Sequence, residues 1–303
     1  MSTKFVKATI VLVLLSIVVN AQTPILITGT KLTYPILSKW IAEYSKENPQ
    51  VQILLVNKNN TEGKKIDISI IAHQPSTTEL QINKQIIPVN KYALLPVASN
   101  SNLYIKKHKN SGFNKKELEK LFFDESIFEE SKEKTKSPVI VYARESQSCS
   151  SKALADYFGR QSNEIRGKKI AGDDIYLLSS IKKDSLGVAF VNLNYIYDNN
   201  SRKLKDGFTI LPLDISKEET DYLTNIDDVI YILEKTKIET IPVSEISFVL
   251  DNTAQNAEVL KFISWVINNG QEYNHQFGFL NLDKETQKAQ SSKLNESILT
   301  AVK

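Results

Sequence analysis

Short apolar runs of strand type alternate with amphipathic helical runs from residue 24 onward, and that alternation restricts the chain to an α/β architecture. Pro24 opens the run PILIT (24–28), which reads as a buried strand ending at Gly29. Pro35 then fits the first turn of a helix with Thr33 as its expected N-cap. Ile36, Leu37, Trp40, Ile41 and Tyr44 recur behind it at helical spacing, and Asn48-Pro49 ends the helix. Runs 51–56 (VQILLV) and 66–72 (IDISIIA) read as the next two strands. A strand–helix–strand–loop–strand order predicts a parallel sheet, because parallel neighbours need a crossover.

The pattern continues along the chain. Residues 87–97, with Pro88 and Pro96, read as a strand crossing between two lobes. Segment 114–123 reads as a short helix and 124–136 as a charged, solvated surface. A strand is expected at 138–142, then a turn at 144–151, then a helix with Ala153, Leu154, Tyr157 and Phe158 on one face. Further strands are expected at 186–191 and 246–250, and an amphipathic helix at 257–269 around Leu260, Phe262, Ile263 and Trp265. The polar stretch 214–239 gives no clear period. A length of 303 residues fits about two folding units at roughly 150 residues each.

The N-terminus reads as a signal peptide over residues 1–21. Lys4 and Lys7 supply the positive region, residues 8–19 the apolar run, and Val19-Asn20-Ala21 the cleavage site. The run is short for a membrane span of about 30 Å, so the mature chain is expected to be soluble and periplasmic. Lys plus Arg is 38 against 35 for Asp plus Glu. That near balance gives no basic field, and nucleic-acid binding is not implied.

Much chemistry is excluded. The chain has no GxSxG, HExxH, P-loop or GxGxxG pattern. With 1 Cys and 3 His it has neither a disulfide framework nor metal-ligand spacing, and no metal or cofactor is expected. Cys149 could serve as a nucleophile, but nothing in the sequence brings His275 to it, and a half-buried inert thiol is the simpler expectation.

Two segments place hydrogen-bond donors between a strand and a helix: residues 29–35 (GTKLTYP) and 144–151 (RESQSCSS). Helix N-termini present unpaired N–H groups and positive potential, so they bind anions. Ser148 and Ser150 add hydroxyls, and Arg144 adds a guanidinium. Ordinary helix capping explains the same hydroxyl residues.

Taken together, these segments resemble a periplasmic phosphate-binding protein, the substrate-binding component of an ABC importer. The resemblance rests on five pieces in order: residues 29–40 (GTKLTYPILSKW), the strand 66–73, Arg144 with Ser148, Cys149 and Ser150, the run 184–190 (DSLGVAF), and 246–250 with 258–265 (EVLKFISW). It implies a two-lobed α/β fold of the type II periplasmic-binding-protein kind, with the anion in the cleft. Lobe I would comprise 22–95 plus 245–303, and lobe II 96–244. It implies ligand contacts from Thr30, Lys31, Leu32, Arg144, Ser148, Cys149 and Ser150, with Asn59 and His73 as further candidates. It implies phosphate or a related oxyanion as ligand, ABC permease subunits as partners, and no enzymatic activity.

The chain departs from the family's pattern in its first loop (Lys31, Leu32), at Asn57–Gly63, and at Cys149. At Ala72-His73 the family carries an aspartate that accepts the ligand's proton. Discrimination of phosphate from sulfate is therefore expected to be weak. These departures leave two alternatives: an extracytoplasmic sensor or interaction protein with altered or lost anion binding, and a secreted hydrolase using Cys149 or a serine.

Overall fold

The computed structural model describes residues 23–57, 63–75, 83–102, 105–106, 112–124, 139–251 and 256–301. The expected signal peptide, Asn59, His108 and nearly all of 124–136 lie outside them.

The first unit follows the expected order. Strand β1 (Ile25–Gly29) leads through a 3-10 turn (Lys31–Thr33) to α1 (Tyr34–Glu47), then β2 (Ile53–Leu55) and β3 (Ile68–Ile71). β1 pairs in parallel with both β2 and β3. Thr33 precedes α1 but does not cap it; its hydroxyl donates to the Thr30 carbonyl at 2.9 Å. A β-branched residue held in helical backbone geometry can close the preceding turn instead, which the sequence reading overlooked.

The sheet then changes direction. β4 (Lys84–Ser99) runs for 16 residues and is shared by both lobes. Lys84 to Ala93 pair antiparallel with β9 (Val243–Asp251), and Leu94 to Ala98 pair antiparallel with β7 (Gly187–Asn192). A register shift between Pro88 and Asn90 accommodates the missing proline N–H. Between these strands lie α2 (Lys115–Phe123), β5 (Ile140–Arg144), α3 (Cys149–Phe158), β6 (Lys168–Ile170) and α4 (Asp174–Lys183). After β7 come α5 (Leu193–Ile196), β8 (Phe208–Ile210), α6 (Lys217–Tyr222) and α7 (Ile226–Lys235); after β9 come α8 (Ala257–Asn268) and α9 (Lys284–Ala301). The strand order is β2-β1-β3-β9-β4-β7-β5-β6, with β8 on β4. The expected parallel pairing holds for β1 with β2 and β3 and for β5 with β6 and β7. It fails around the two long strands, because β9 pairs antiparallel with β3 and β4, and β4 pairs antiparallel with β7 and β8.

Each lobe has its own aromatic core. In the first, Trp40, Tyr44, Phe248 and Phe262 meet edge-on or stacked. In the second, Phe122, Phe158 and Phe190 pack together. The stretch 214–239 forms two helices. Its signals were local: a capping box of Ser216 and Glu219 opens α6, and Asn225 caps α7.

Candidate functional site

The strands that carry the expected site residues all end at one cleft of about 410 Å³. β1 delivers Gly29, β3 points toward His73, β5 ends at Arg144 and β7 at Asn192, and all four contribute to its lining. Carboxyl ends of strands in an open α/β sheet are where ligands bind.

On the first wall, Thr30, Lys31 and Leu32 line the cleft in the 3-10 turn. Lys31 is exposed. Leu32 is 8% exposed and its side chain belongs to the core, so only its backbone can serve the cleft. Gly29 makes this close approach possible. A Cβ there would lie 2.5 Å from Ile70 Cβ and 2.8 Å from Ile70 O. Gly29→Ala should therefore destabilise the protein by about 1–3 kcal/mol, the range for overpacking. A urea midpoint equal to that of the parent would refute this.

On the opposite wall, Ser148 caps α3, accepting from Ser151 N–H at 3.2 Å and lying 3.4 Å from Ser150 Oγ. Cys149 and Ser150 are the first two residues of that helix, in the turn whose amides have no intrahelical acceptor. So Ser148 caps the helix and lines the cleft, and Ser150 lines it from within the first turn.

Arg144 does not stand alone. Its Nη1 donates to Asp174 Oδ1 at 2.6 Å and its Nη2 to the Gly172 carbonyl. Its carboxylate partner is the first residue of α4, from the same lobe. Gly172 supplies the carbonyl with φ +91°, a left-handed conformation suited to glycine. Asn192 Nδ2 donates to the other oxygen of Asp174. Burial pushes the Asp174 carboxyl up, and Arg144 and Asn192 pull it back only in part. Arg144 Nε and Asn192 Oδ1 are buried with no hydrogen-bond partner, which is unusual for buried polar atoms.

Asp173 neighbours this network. Its Oδ1 accepts from Tyr195 OH at 2.6 Å and from Asp174 N–H at 2.7 Å. Burial, with the Asp173 bond second, holds the Tyr195 phenol protonated far above its usual range.

His73 is 8% exposed, and its Nδ1 lies 3.3 Å from Cys149 Sγ. As expected, His275 is not the partner of Cys149; it meets Glu234 at 2.8 Å. The preceding residue is fixed from below, where the buried Tyr92 OH donates to Ala72 O at 2.6 Å.

The sequence reading missed Lys152, Asp173, Asp174, Asn192 and Tyr195, all of which line the cleft. The signal was present for two of them: Gly172-Asp173-Asp174 precedes Leu177, Leu178 and Ile181, a capped amphipathic helix. Among the described residues no His/Cys/Asp/Glu cluster could hold a metal ion. No described helix is long and apolar enough to cross a membrane.

A sequence profile described as a PBP superfamily domain matches residues 18–269. No curated protein matches the sequence. Among solved structures, an ABC-type phosphate transport receptor from Vibrio cholerae superposes with a TM-score of 0.60 at 11% identity, covering 85% of this chain and 100% of that one. PstS from Borrelia burgdorferi gives 0.53 at 16% identity, covering 87% and 100%. At such identities the likeness is one of fold.

Proposed function

The chain belongs to the PBP superfamily, and from that premise we propose that it is a solute-binding protein that takes phosphate or a related oxyanion into its cleft and delivers it to an ABC permease. The observation that carries this reading is the convergence of Lys31, Arg144 and Lys152 with the first turn of α3 on one cleft. Cations and helix amides together favour an anion. The Vibrio cholerae structure named above is of a phosphate transport receptor by its description, which supports phosphate as the first ligand to try. The protein performs no chemistry on its ligand in this reading. It is exported by residues 1–21 and works in the periplasm. Lobe I is 22–95 with 245–303, and lobe II is 96–244, so closure bends the two strands β4 and β9.

The carboxylate missing at Ala72-His73 has a replacement across the cleft. Both described hydrogen bonds to the Asp173 side chain fall on Oδ1, which leaves Oδ2 to accept from a protonated oxyanion and to repel sulfate, which brings no proton. That raises the discrimination above the expectation from sequence. Calorimetric titration with phosphate, sulfate and pyrophosphate tests the reading; no heat with any of them defeats it. Asp173→Asn should narrow the phosphate-over-sulfate ratio by about tenfold, or roughly 1.4 kcal/mol. An unchanged ratio would return the weak-discrimination expectation to first place.

A further inference from the structure

Cys149 and His73 come from different lobes, 76 positions apart, and meet across the cleft at 3.3 Å through Sγ and Nδ1. Cys149 is half-buried, lines the cleft, and is the first residue of the ten-residue helix α3. An adjacent imidazole and a helix N-terminus each favour a thiolate. Asn192, which lines the same cleft and is 2% exposed, keeps an unpartnered Oδ1. The charged groups sharing the cleft act in both directions. Lys31, Arg144 and Lys152 favour thiolate; Asp173 and Asp174 oppose it, the latter already held by Arg144. The buried Tyr92 phenol nearby stays protonated: burial, then the Cys149 and Asp174 charges, push it well above its usual range.

We propose that Cys149 is a covalent modification site, a thiolate paired with the His73 imidazolium that attacks small polar electrophiles entering the cleft and, once modified, shuts the anion site. The thiol proton resides on Nδ1. With a haloacetamide the S–C bond forms, the C–I bond breaks, and iodide leaves with the electron pair. With a small hydroperoxide the S–O bond forms and the O–O bond breaks. The sulfur is oxidised by two electrons, the peroxide is reduced, and the departing oxygen takes the proton from His73. A group of that size on Sγ sits at the first turn of α3, beside the Ser148 and Ser150 hydroxyls. The thiol reactivity stands on its own; only the shutting of the cleft rests on the anion-binding reading.

The chain has 1 cysteine, so intact mass after iodoacetamide treatment reports this site alone. The alkylation rate of the folded protein as a function of pH should half-rise below about pH 7, against about 8.5 for a free thiol. At pH 6 it should exceed that of glutathione by roughly tenfold, the larger thiolate fraction outweighing its lower nucleophilicity. His73→Asn should move the half-rise up toward that of a free thiol. A wild-type half-rise at or above about 8.5 overturns the proposal without any variant being needed. Phosphate titration of the alkylated protein should show affinity lost by at least tenfold. If the untreated protein binds phosphate and the alkylated form binds it equally, the shutting of the cleft is wrong. If the untreated protein binds none, the anion reading fails while the pH profile still judges the thiol.

Discussion

Arg144→Ala should weaken anion binding and also lower the stability of the free protein, and adding Asp174→Asn should restore the second without the first. The reason lies in what the guanidinium touches. Its Nη1 bonds a carboxylate whose side chain is 4% exposed, while the arginine side chain itself is 18% exposed and lines the cleft. Truncating one member of a buried charge pair costs about 3–5 kcal/mol, and the surviving bond from Asn192 to Asp174 places this case at the lower end. Losing a charge-assisted contact to the anion costs on the order of 2–5 kcal/mol in affinity. The stability loss should depend on pH. The Asp174 carboxyl is already raised by burial and would rise further without Arg144. A raised carboxylate in the folded state stabilises the protonated form, so stability is greater at low pH and falls as pH rises through the folded value. The single variant should accordingly lose least near pH 5 and most near pH 8, and the double variant should lose that dependence. Thermal melts with and without phosphate read both effects. If the single variant still gains as much from phosphate as the parent, Arg144 is a structural residue only.

Trp40→Ala should be the most damaging core substitution, at about 3–5 kcal/mol. Trp40 is 1% exposed, meets the edge of Phe248 at 6.2 Å, and donates from Nε1 to the Gly270 carbonyl at 2.8 Å. Removal opens a cavity between α1 and the β9 face and leaves that carbonyl without its donor. Trp40→Phe should fall between, keeping most of the volume but not the bond, which leaves an unmet buried acceptor worth about 1–3 kcal/mol. Urea unfolding should show a lower midpoint with an unaltered slope. A loss of less than about 1 kcal/mol for the alanine variant would mean that the surrounding side chains collapse into the space. Phosphate affinity of the folded variant should change far less than stability, because the Lys31 turn is held also by the Thr33 to Thr30 bonds.

The elements read most directly from sequence were those with a strong period and a stop signal. β1, α1 and α8 carry apolar stripes bounded by Gly29, by Asn48-Pro49 and by Asn256, and each forms where it was expected. α9 escaped because its apolar face is narrow: Leu294 is fully buried and Ile298 only packs against the core. The Arg144–Ser150 half of the site was legible because a strand, a turn and a helix start lie in one short segment. The other half is assembled by topology. Asp174 and Asn192 sit 18 positions apart, at the beginning of a helix and the end of a strand, and nothing local marks them as neighbours. The contact of His73 with Cys149 is more remote still, since it exists only when β3 and α3 face each other across the cleft. The lysine and asparagine loop around Asn59 stays an expectation from sequence.

The place of β9 sets an order of events for a chain made from one end. β9 inserts between β3 and β4, pairing with both, yet all of β5 to β8 is synthesised before it. Until then β3 and the first half of β4 are strand edges without partners, and their Ile68, Ile70, Ile87 and Val89 side chains, fully or almost fully covered in the finished protein, have an incomplete layer to pack on. Lobe II can close on its own meanwhile, leaving the N-terminal part of lobe I as one sticky fragment tethered to a folded insert. Long-range pairings of this kind are slow to form and prone to association with other nascent chains. A cell producing this protein should therefore depend on holding it unfolded until the last strand emerges, and truncations ending before Val243 should accumulate as aggregates and not as a free-standing first lobe.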